Sequence, residues 1–200
     1  MTLILLDTNS YLRLAKRIRP LLGQPFGQKK YELTVLVDVE KEVRHSPRLR
    51  FRNPWFDDVD LKSERDHKRV RLSGQERPQI EAVKSVLLAH IDENIENFVN
   101  GKYGSQPPGP VDCYCLAFAD VRGAIVVTDD LGMHTLAEDF DLPIWHCYQA
   151  LSKMLTAKVV DKEKIREIYD ALEVNGDMTQ TWSDAKYTVF KKVFGPKPRP

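Results

Sequence analysis

The stretch Pro110-Val111-Asp112-Cys113-Tyr114-Cys115-Leu116-Ala117-Phe118-Ala119-Asp120-Val121-Arg122-Gly123-Ala124-Ile125-Val126-Val127-Thr128-Asp129-Asp130 decides the fold. Pro110 suits the first turn of a helix, Leu116, Ala117 and Val121 continue it, and Gly123 marks its end. Ala124 to Val127 is a short β-branched run of the kind that fills a buried parallel strand, and it runs into Thr128-Asp129-Asp130. A second helix, Leu131 to Phe140, leads to another strand, Pro143 to His146. Strand, helix and strand in that order make a crossover unit, so the expected fold is α/β, a three-layer α/β/α sandwich around a central, largely parallel sheet.

The same alternation extends towards the N-terminus. Leu3 to Leu6 reads as a buried strand ending in Asp7-Thr8-Asn9, and Tyr11 to Ile18 has helical spacing. Leu33 to Val37 reads as a second strand, with Asp38 as the cap of a helix through Val39, Val43 and His45. Residues 46–78 interrupt the pattern with Arg48, Arg50, Arg52, Arg65, Lys68 and Arg69 among Phe51, Trp55 and Phe56, which predicts a partly irregular basic and aromatic insertion. From Gln79 a long amphipathic helix is expected to run to Gly101, followed by a Pro/Gly loop over 104–110. Ala150 to Leu155, Lys164 to Leu172 and Ser183 to Val193 read as closing helices, and the Pro-rich basic tail Gly195 to Pro200 is expected to fray. Residues 1–155 are thus expected to form one α/β domain, with 156–200 a helical extension packed on it.

The 200 residues are enough to bury roughly 70% of the unfolded surface in a single core. A content of 42% hydrophobic and 30% charged residues excludes disorder, collagen-like repeats and a disulfide scaffold. The net charge of +1 supplies no global attraction for nucleic acid, so any such contact must come from local clusters of Lys and Arg. Three cysteines point to a reducing compartment. The opening residues show no targeting pattern and no apolar run of membrane-spanning length, so a cytoplasmic location without membrane contact is expected. Phosphate-loop, zinc-ribbon and Gly-x-Ser-x-Gly patterns are absent, which removes the commonest nucleotide, zinc and serine-hydrolase readings.

Ligands of open parallel sheets bind outside the carboxyl ends of the strands. Asp7 and Asp130 follow strands, Glu42 lies in the helix after the second strand, and Asp112 opens a helix that leads back into one, so all four map to the same edge. Four clustered carboxylates raise one another's pKa, and a divalent cation is the usual relief. Hard oxygen donors without nearby His or Cys suit Mg2+ or Mn2+ better than zinc. Thr8, Asn9, Thr128 and Asp129 are short polar neighbours fit to orient those carboxylates. Glu40 and Asp129 compete with Glu42 and Asp130 for the ligand positions, and His134, four residues past Asp130, reads as an ordinary surface or boundary residue or as a phosphate contact. Cys113, Cys115 and Cys147 read as small core residues.

Leu-Leu-Asp-Thr-Asn at 5–9, Val-x-x-Glu at 39–42, Asp112 leading a helix, and Val-Val-Thr-Asp-Asp at 126–130 resemble the motifs of the PIN (PilT N-terminus) domain family over about the first 150 residues. The resemblance implies a metal-dependent ribonuclease in which Asp7, Glu42, Asp112 and Asp130 are the acidic, metal-binding and catalytic quartet. It also implies RNA as substrate, homodimerisation and, for VapC-like toxins of toxin–antitoxin modules, an antitoxin protein as partner. The 46–78 insertion and the C-terminal extension make this chain longer than a compact VapC-like toxin.

An RNA clamp would draw on Arg44, Arg48, Arg50, Arg52, Lys68 and Arg69, with aromatic stacking if the strand is single. The competing expectation for the insertion is a solvated loop whose Asp57, Asp58, Asp60, Glu64 and Asp66 pair with the arginines and whose Trp55 packs on the core. The aromatic stripe Trp182, Tyr187, Phe190 and Phe194 reads as core packing or a binding face. Two rival functions use the same edge: a PIN fold kept as a non-catalytic RNA- or protein-binding scaffold, and a haloacid-dehalogenase-like phosphatase. The second requires an Asp where Asn9 stands.

Overall fold

The computed structural model describes residues 1–99 and 106–197. In chain order the elements are β1 (Thr2–Leu6), α1 (Thr8–Ala15), β2 (Tyr31–Thr34), α2 (Val37–His45), α3 (Pro47–Arg52), a 3-10 turn (Pro54–Asp57), α4 (Val59–Lys68), α5 (Glu76–Glu93) and α6 (Ile95–Val99). Then follow α7 (Pro110–Arg122), β3 (Ile125–Val127), α8 (Leu131–Asp139), β4 (Ile144–Trp145), α9 (Cys147–Thr156), α10 (Lys162–Asn175), α11 (Gln180–Tyr187) and α12 (Lys191–Phe194). No helix of the described residues is long and apolar enough to cross a membrane.

The four strands form one all-parallel sheet in the order β2-β1-β3-β4, with Ile4 opposite both Leu33 and Ile125, and Val126 opposite Ile144. A parallel strand is covered on both faces, which is why β1 is an unbroken apolar run whose Ile4, Leu5 and Leu6 are fully buried. Ile4 and Leu6 join a core with residues of α1, α2, α9, α10 and α11, whereas Leu5 joins a separate core with residues of α5, α7 and α8. Two cores on opposite faces of one sheet make the three-layer α/β/α sandwich. The chain leaves β1 for β2 on one side and later returns to β3 on the other, so the ends of β1 and β3 flank the crevice where such sheets bind ligands. Gly123 closes α7 in the left-handed region at φ 60°, a conformation that allows the chain to turn straight into β3.

Several boundaries differ from the sequence expectation. β2 stops at Thr34 although Val35 and Leu36 are apolar and buried, because the chain leaving α4 crosses here: Val70 N–H donates to Val35 O and the Thr34 hydroxyl donates to Lys68 O. The cap of α2 is therefore Leu36, and Asp38 lies within the first turn, where it pairs with Lys41. The long helix after residue 75 divides at Asn94, whose side-chain and backbone N–H groups both turn back on His90 O. Its expected stop at Gly101 and the start of the 104–110 loop lie outside the described residues, as do the last three residues of the tail. The 183–193 helix divides into α11 and α12 around buried Phe190.

The 46–78 segment is helical over most of its length and irregular over 69–75, and its helices are seated by a buried cation. Arg65, fully shielded from solvent, donates from Nε to Glu40 Oε1 (3.3 Å), from Nη1 to the Tyr11 hydroxyl (3.1 Å) and from Nη2 to Phe56 O (2.9 Å), and lies over the Phe56 ring. Glu40 takes a second guanidinium, Arg69, at 3.0 Å on its other oxygen. Of the insertion's acids, Asp66 pairs with Arg69 at 3.5 Å, Glu64 accepts the Leu21 and Leu22 N–H groups, and Asp58 pairs with Arg19. A buried ion pair loses most when one partner is removed. Arg65→Met is expected to lower stability by about 3 kcal/mol in urea unfolding, and adding Glu40→Leu to restore part of it; a single variant as stable as the parent would contradict this role.

Candidate functional site

Asp7 ends β1 at the crevice. Its backbone N–H continues the β1–β3 ladder to Val127 O (3.1 Å), and its side chain caps α1, Oδ1 accepting from Ser10 N (2.6 Å). The other oxygen, Oδ2, accepts the Thr128 hydroxyl at 2.5 Å. Only 8% of Asp7 is exposed, and burial pushes its pKa from 3.8 up to about 6, although the Thr128 and Ser10 hydrogen bonds pull the other way.

The other three carboxylates reach the same neighbourhood from different elements. Glu42, one and a half turns into α2, accepts the Thr8 hydroxyl on Oε2 at 2.6 Å, tying α2 to the start of α1. Asp130 caps α8 by accepting Met133 N–H (2.9 Å), and its own N–H donates to the Thr128 hydroxyl oxygen (3.0 Å), so Thr128 bridges Asp7 and Asp130. Asp112, in the first turn of α7, accepts Gly109 N–H (2.9 Å). Burial raises its pKa first, and the charges of Asp130 and Glu42 add to the rise. The approach of this loop depends on Gly132: a Cβ there would overlap Gln106 O and press on Asp130 Oδ1 at 3.1 Å.

The two competing acids have different surroundings. Glu40 is the buried partner of Arg65 and Arg69. Asp129 accepts from Arg13, from Trp182 Nε1 (2.7 Å) and from Cys147 N–H (3.0 Å), with His146 Nδ1 at 3.6 Å. Burial pushes Asp129 upwards, but His146, Arg13 and Trp182 together outweigh it and hold the carboxyl below its ordinary value. Asn9 is exposed at the start of α1. Cys113, Cys115 and Cys147 are free and buried.

Trp182 is legible in the sequence as part of an aromatic stripe, core packing or a binding face, and its buried indole N–H demands an acceptor, which here is Asp129. Arg13, which no sequence pattern singles out, reaches the same carboxylate from α1 and lies over the Trp182 ring. His134 donates from Nε2 to Thr128 O (3.0 Å) and stacks on His146 at 3.9 Å, which in turn stacks on Tyr148. Burial, and then the neighbouring His146, lower the His134 pKa. The basic residues of the expected clamp fall into separate neighbourhoods: Arg44 and Arg69 beside Glu40, Arg52 beside Asp177, Lys68 along the 19–24 loop, and Arg48 and Arg50 exposed on α3.

Among the described residues no three His, Cys, Asp or Glu side chains converge closely enough to enclose an ion. The chemistry of the edge nevertheless suits a hard divalent cation. Its donors are carboxylate and hydroxyl oxygens, and each Asp7 oxygen engages one protein donor, which leaves a second lone-pair direction for another ligand. A desolvated carboxylate with a raised pKa also gains most from a nearby cation.

The sequence matches no family model and no curated protein. Among solved structures, the crystal structure of FitAcB from Neisseria gonorrhoeae aligns over 72% of this chain and 98% of its own, at 15% identity and a TM-score of 0.42, a likeness too distant to carry an argument.

The raised pKa of Asp7 links the site to stability. Below pH 3.8 the carboxyl is protonated in both states; between there and about 6 the folded chain holds a proton that the unfolded chain has released, so stability falls as pH rises. Above that window the penalty is constant at about 3 kcal/mol. Asp7→Asn is therefore expected to stabilise the fold at pH 7.5 by roughly 1–3 kcal/mol and to flatten the decline between pH 4 and 6 in urea unfolding series. An Asp7→Asn protein less stable than the parent at pH 7.5 would show that the charge is not a burden.

Proposed function

We propose that the protein is a metal-dependent endoribonuclease of the PIN type that holds Mg2+ or Mn2+ between Asp7, Glu42, Asp112 and Asp130. The observation that carries this reading is the arrangement of the acids: Thr8 and Thr128 tie Glu42, Asp7 and Asp130 to one crevice. Burial pushes Asp7 and Asp112 up, Asp130 and Glu42 add to the rise of Asp112, and the half-buried Arg13 is engaged by Asp129 instead. Acids arranged this way at the crevice of a parallel sheet favour a site that takes up positive charge. A divalent ion bound there supplies a lowered pKa for a coordinated water and stabilises charge on phosphate oxygens.

The residues of the chain supply position. Thr128 fixes Asp7 relative to Asp130, Thr8 fixes Glu42 against α1, and Gly109 N–H holds Asp112 in the first turn of α7. Hydroxyls and N–H groups that hold carboxylates in place reduce the reorganisation needed when charge develops on a phosphodiester. Asp129 and Trp182 brace the same strand end from the C-terminal side, which gives the extension a part in the site. A toxin role within this reading adds an antitoxin protein whose binding covers the edge.

The scaffold reading draws on one observation, that the carboxylates do not converge to chelating distance as they stand among the described residues. Cleavage of a mixed single-stranded and structured RNA pool separates the two. With Mn2+ or Mg2+ the protein is expected to cut, EDTA to abolish cutting, and Asp7→Asn or Asp112→Asn to slow it by roughly 100-fold or more while the fold is kept. Metal-independent cleavage, or a fully active Asp7→Asn protein, would refute the nuclease reading; an intact RNA pool under all metals would favour the scaffold.

A further inference from the structure

A second site lies beside α1, lined by none of the four carboxylates. A cavity of about 380 Å³ opens between α1, α3 with its following 3-10 turn, and α10, so the insertion and the C-terminal extension build its walls together. That volume falls within the range of small-molecule sites, about 300–1,000 Å³. Its charged lining is mostly cationic: Lys16, Arg17 and Arg52 face Asp177. Arg52 meets Asp177 at 3.6 Å and Arg17 meets Glu167 at 3.9 Å, both loose contacts, and Lys16 has no ion-pair partner among the described residues. Arg13 also lines the cavity but is engaged by Asp129.

Charge alone would describe an anion site. Two further features narrow the ligand. Trp55 lines the cavity and is also packed against the core, which holds an aromatic ring in place at little entropic cost. Asn53 and Asn175 add amide groups; Asn53 uses Nδ2 on Leu49 O and keeps its side-chain carbonyl as an acceptor. Guanidinium and ammonium groups for a phosphate, an anchored indole for a flat heterocycle, and amides for its polar edge are the parts that recognise a nucleotide.

We propose that this cavity binds one nucleotide unit, with the phosphate between Lys16, Arg17 and Arg52 and the base against Trp55. Asn9 forms part of the rim and lies two residues from Asp7, so the cavity and the carboxylate edge share the first turn of α1. The unit is therefore either a nucleotide of the RNA strand flanking the edge, in which case the inference rests on the nuclease reading, or a free mononucleotide.

Calorimetric titration in EDTA tests binding without requiring cleavage, so failure of the nuclease reading leaves it interpretable. The probes are adenosine monophosphate, adenosine, inorganic phosphate, an eight-residue oligoadenylate RNA and an oligoglutamate peptide. The variant is Lys16→Ala/Arg52→Ala, both positions exposed, with an unchanged unfolding midpoint as the folding control. Adenosine monophosphate is expected to bind more tightly than adenosine or phosphate alone, and about 10-fold or more weakly to the variant. Trp55→Phe should weaken it by a smaller factor, since a phenyl ring still stacks. Binding of the oligonucleotide alone, weakened in the variant, keeps the site and assigns it to the strand. Equal binding to parent and variant, no binding of either nucleotide probe, or binding of the peptide in their place would overturn the proposal.

Discussion

The Asp7 carboxylate accepts the Ser10 N–H that begins α1 and the Thr128 hydroxyl that follows β3, at a position where solvent barely reaches. These two bonds fix how the central strands deliver their chains to the crevice. Thr128 passes the constraint on to Asp130 through the Asp130 N–H, and Thr8, the next residue after Asp7, passes it to Glu42. A neutral side chain would serve the cap and the hydroxyl with less desolvation penalty. The charge is intelligible as a feature of a site that receives a cation, because stability given up at a local position is commonly the counterpart of function.

The segments that depart from simple strand–helix alternation are held by a second kind of interaction, arginines engaged inside the fold, Arg65 fully buried and Arg13 half-buried. Arg65 draws Glu40, Tyr11 and Phe56 together and so seats α4 and the 3-10 turn on the core below α1 and α2. Arg13 and Trp182 converge on Asp129 and bring α11 to the end of β3. Between these two anchors lies the cationic cavity, whose walls would not exist without either segment. Insertion and extension thus alter the surroundings of the edge from the margins of the sheet, the first at Thr34 and the second at Asp129.

The sheet is legible in the sequence because its signals are local. Gly123, the β-branched run before Thr128 and the apolar Leu3 to Leu6 each specify an element through propensity and burial alone. The end of β2 is not legible, because burial of Val35 and Leu36 outlasts the ladder, and apolarity does not report where hydrogen bonding stops. The helices of the insertion are hidden because a polar, arginine-rich sequence looks solvated. Nothing local distinguishes Arg65, fully buried, from Arg50, exposed on α3. At the candidate site the four acids can be ordered along one edge from topology, whereas the ties through Thr8 and Thr128 and the reach of Trp182 are long-range facts that only packing supplies.

The central claim is that this edge takes up a divalent cation, and the most direct measurement is a Mn2+ binding titration followed by electron paramagnetic resonance at neutral pH, on the parent protein and on Asp7→Asn. The account predicts saturable Mn2+ binding that Mg2+ displaces and that the variant loses. Absence of saturable binding, or equal binding by the variant, would contradict it.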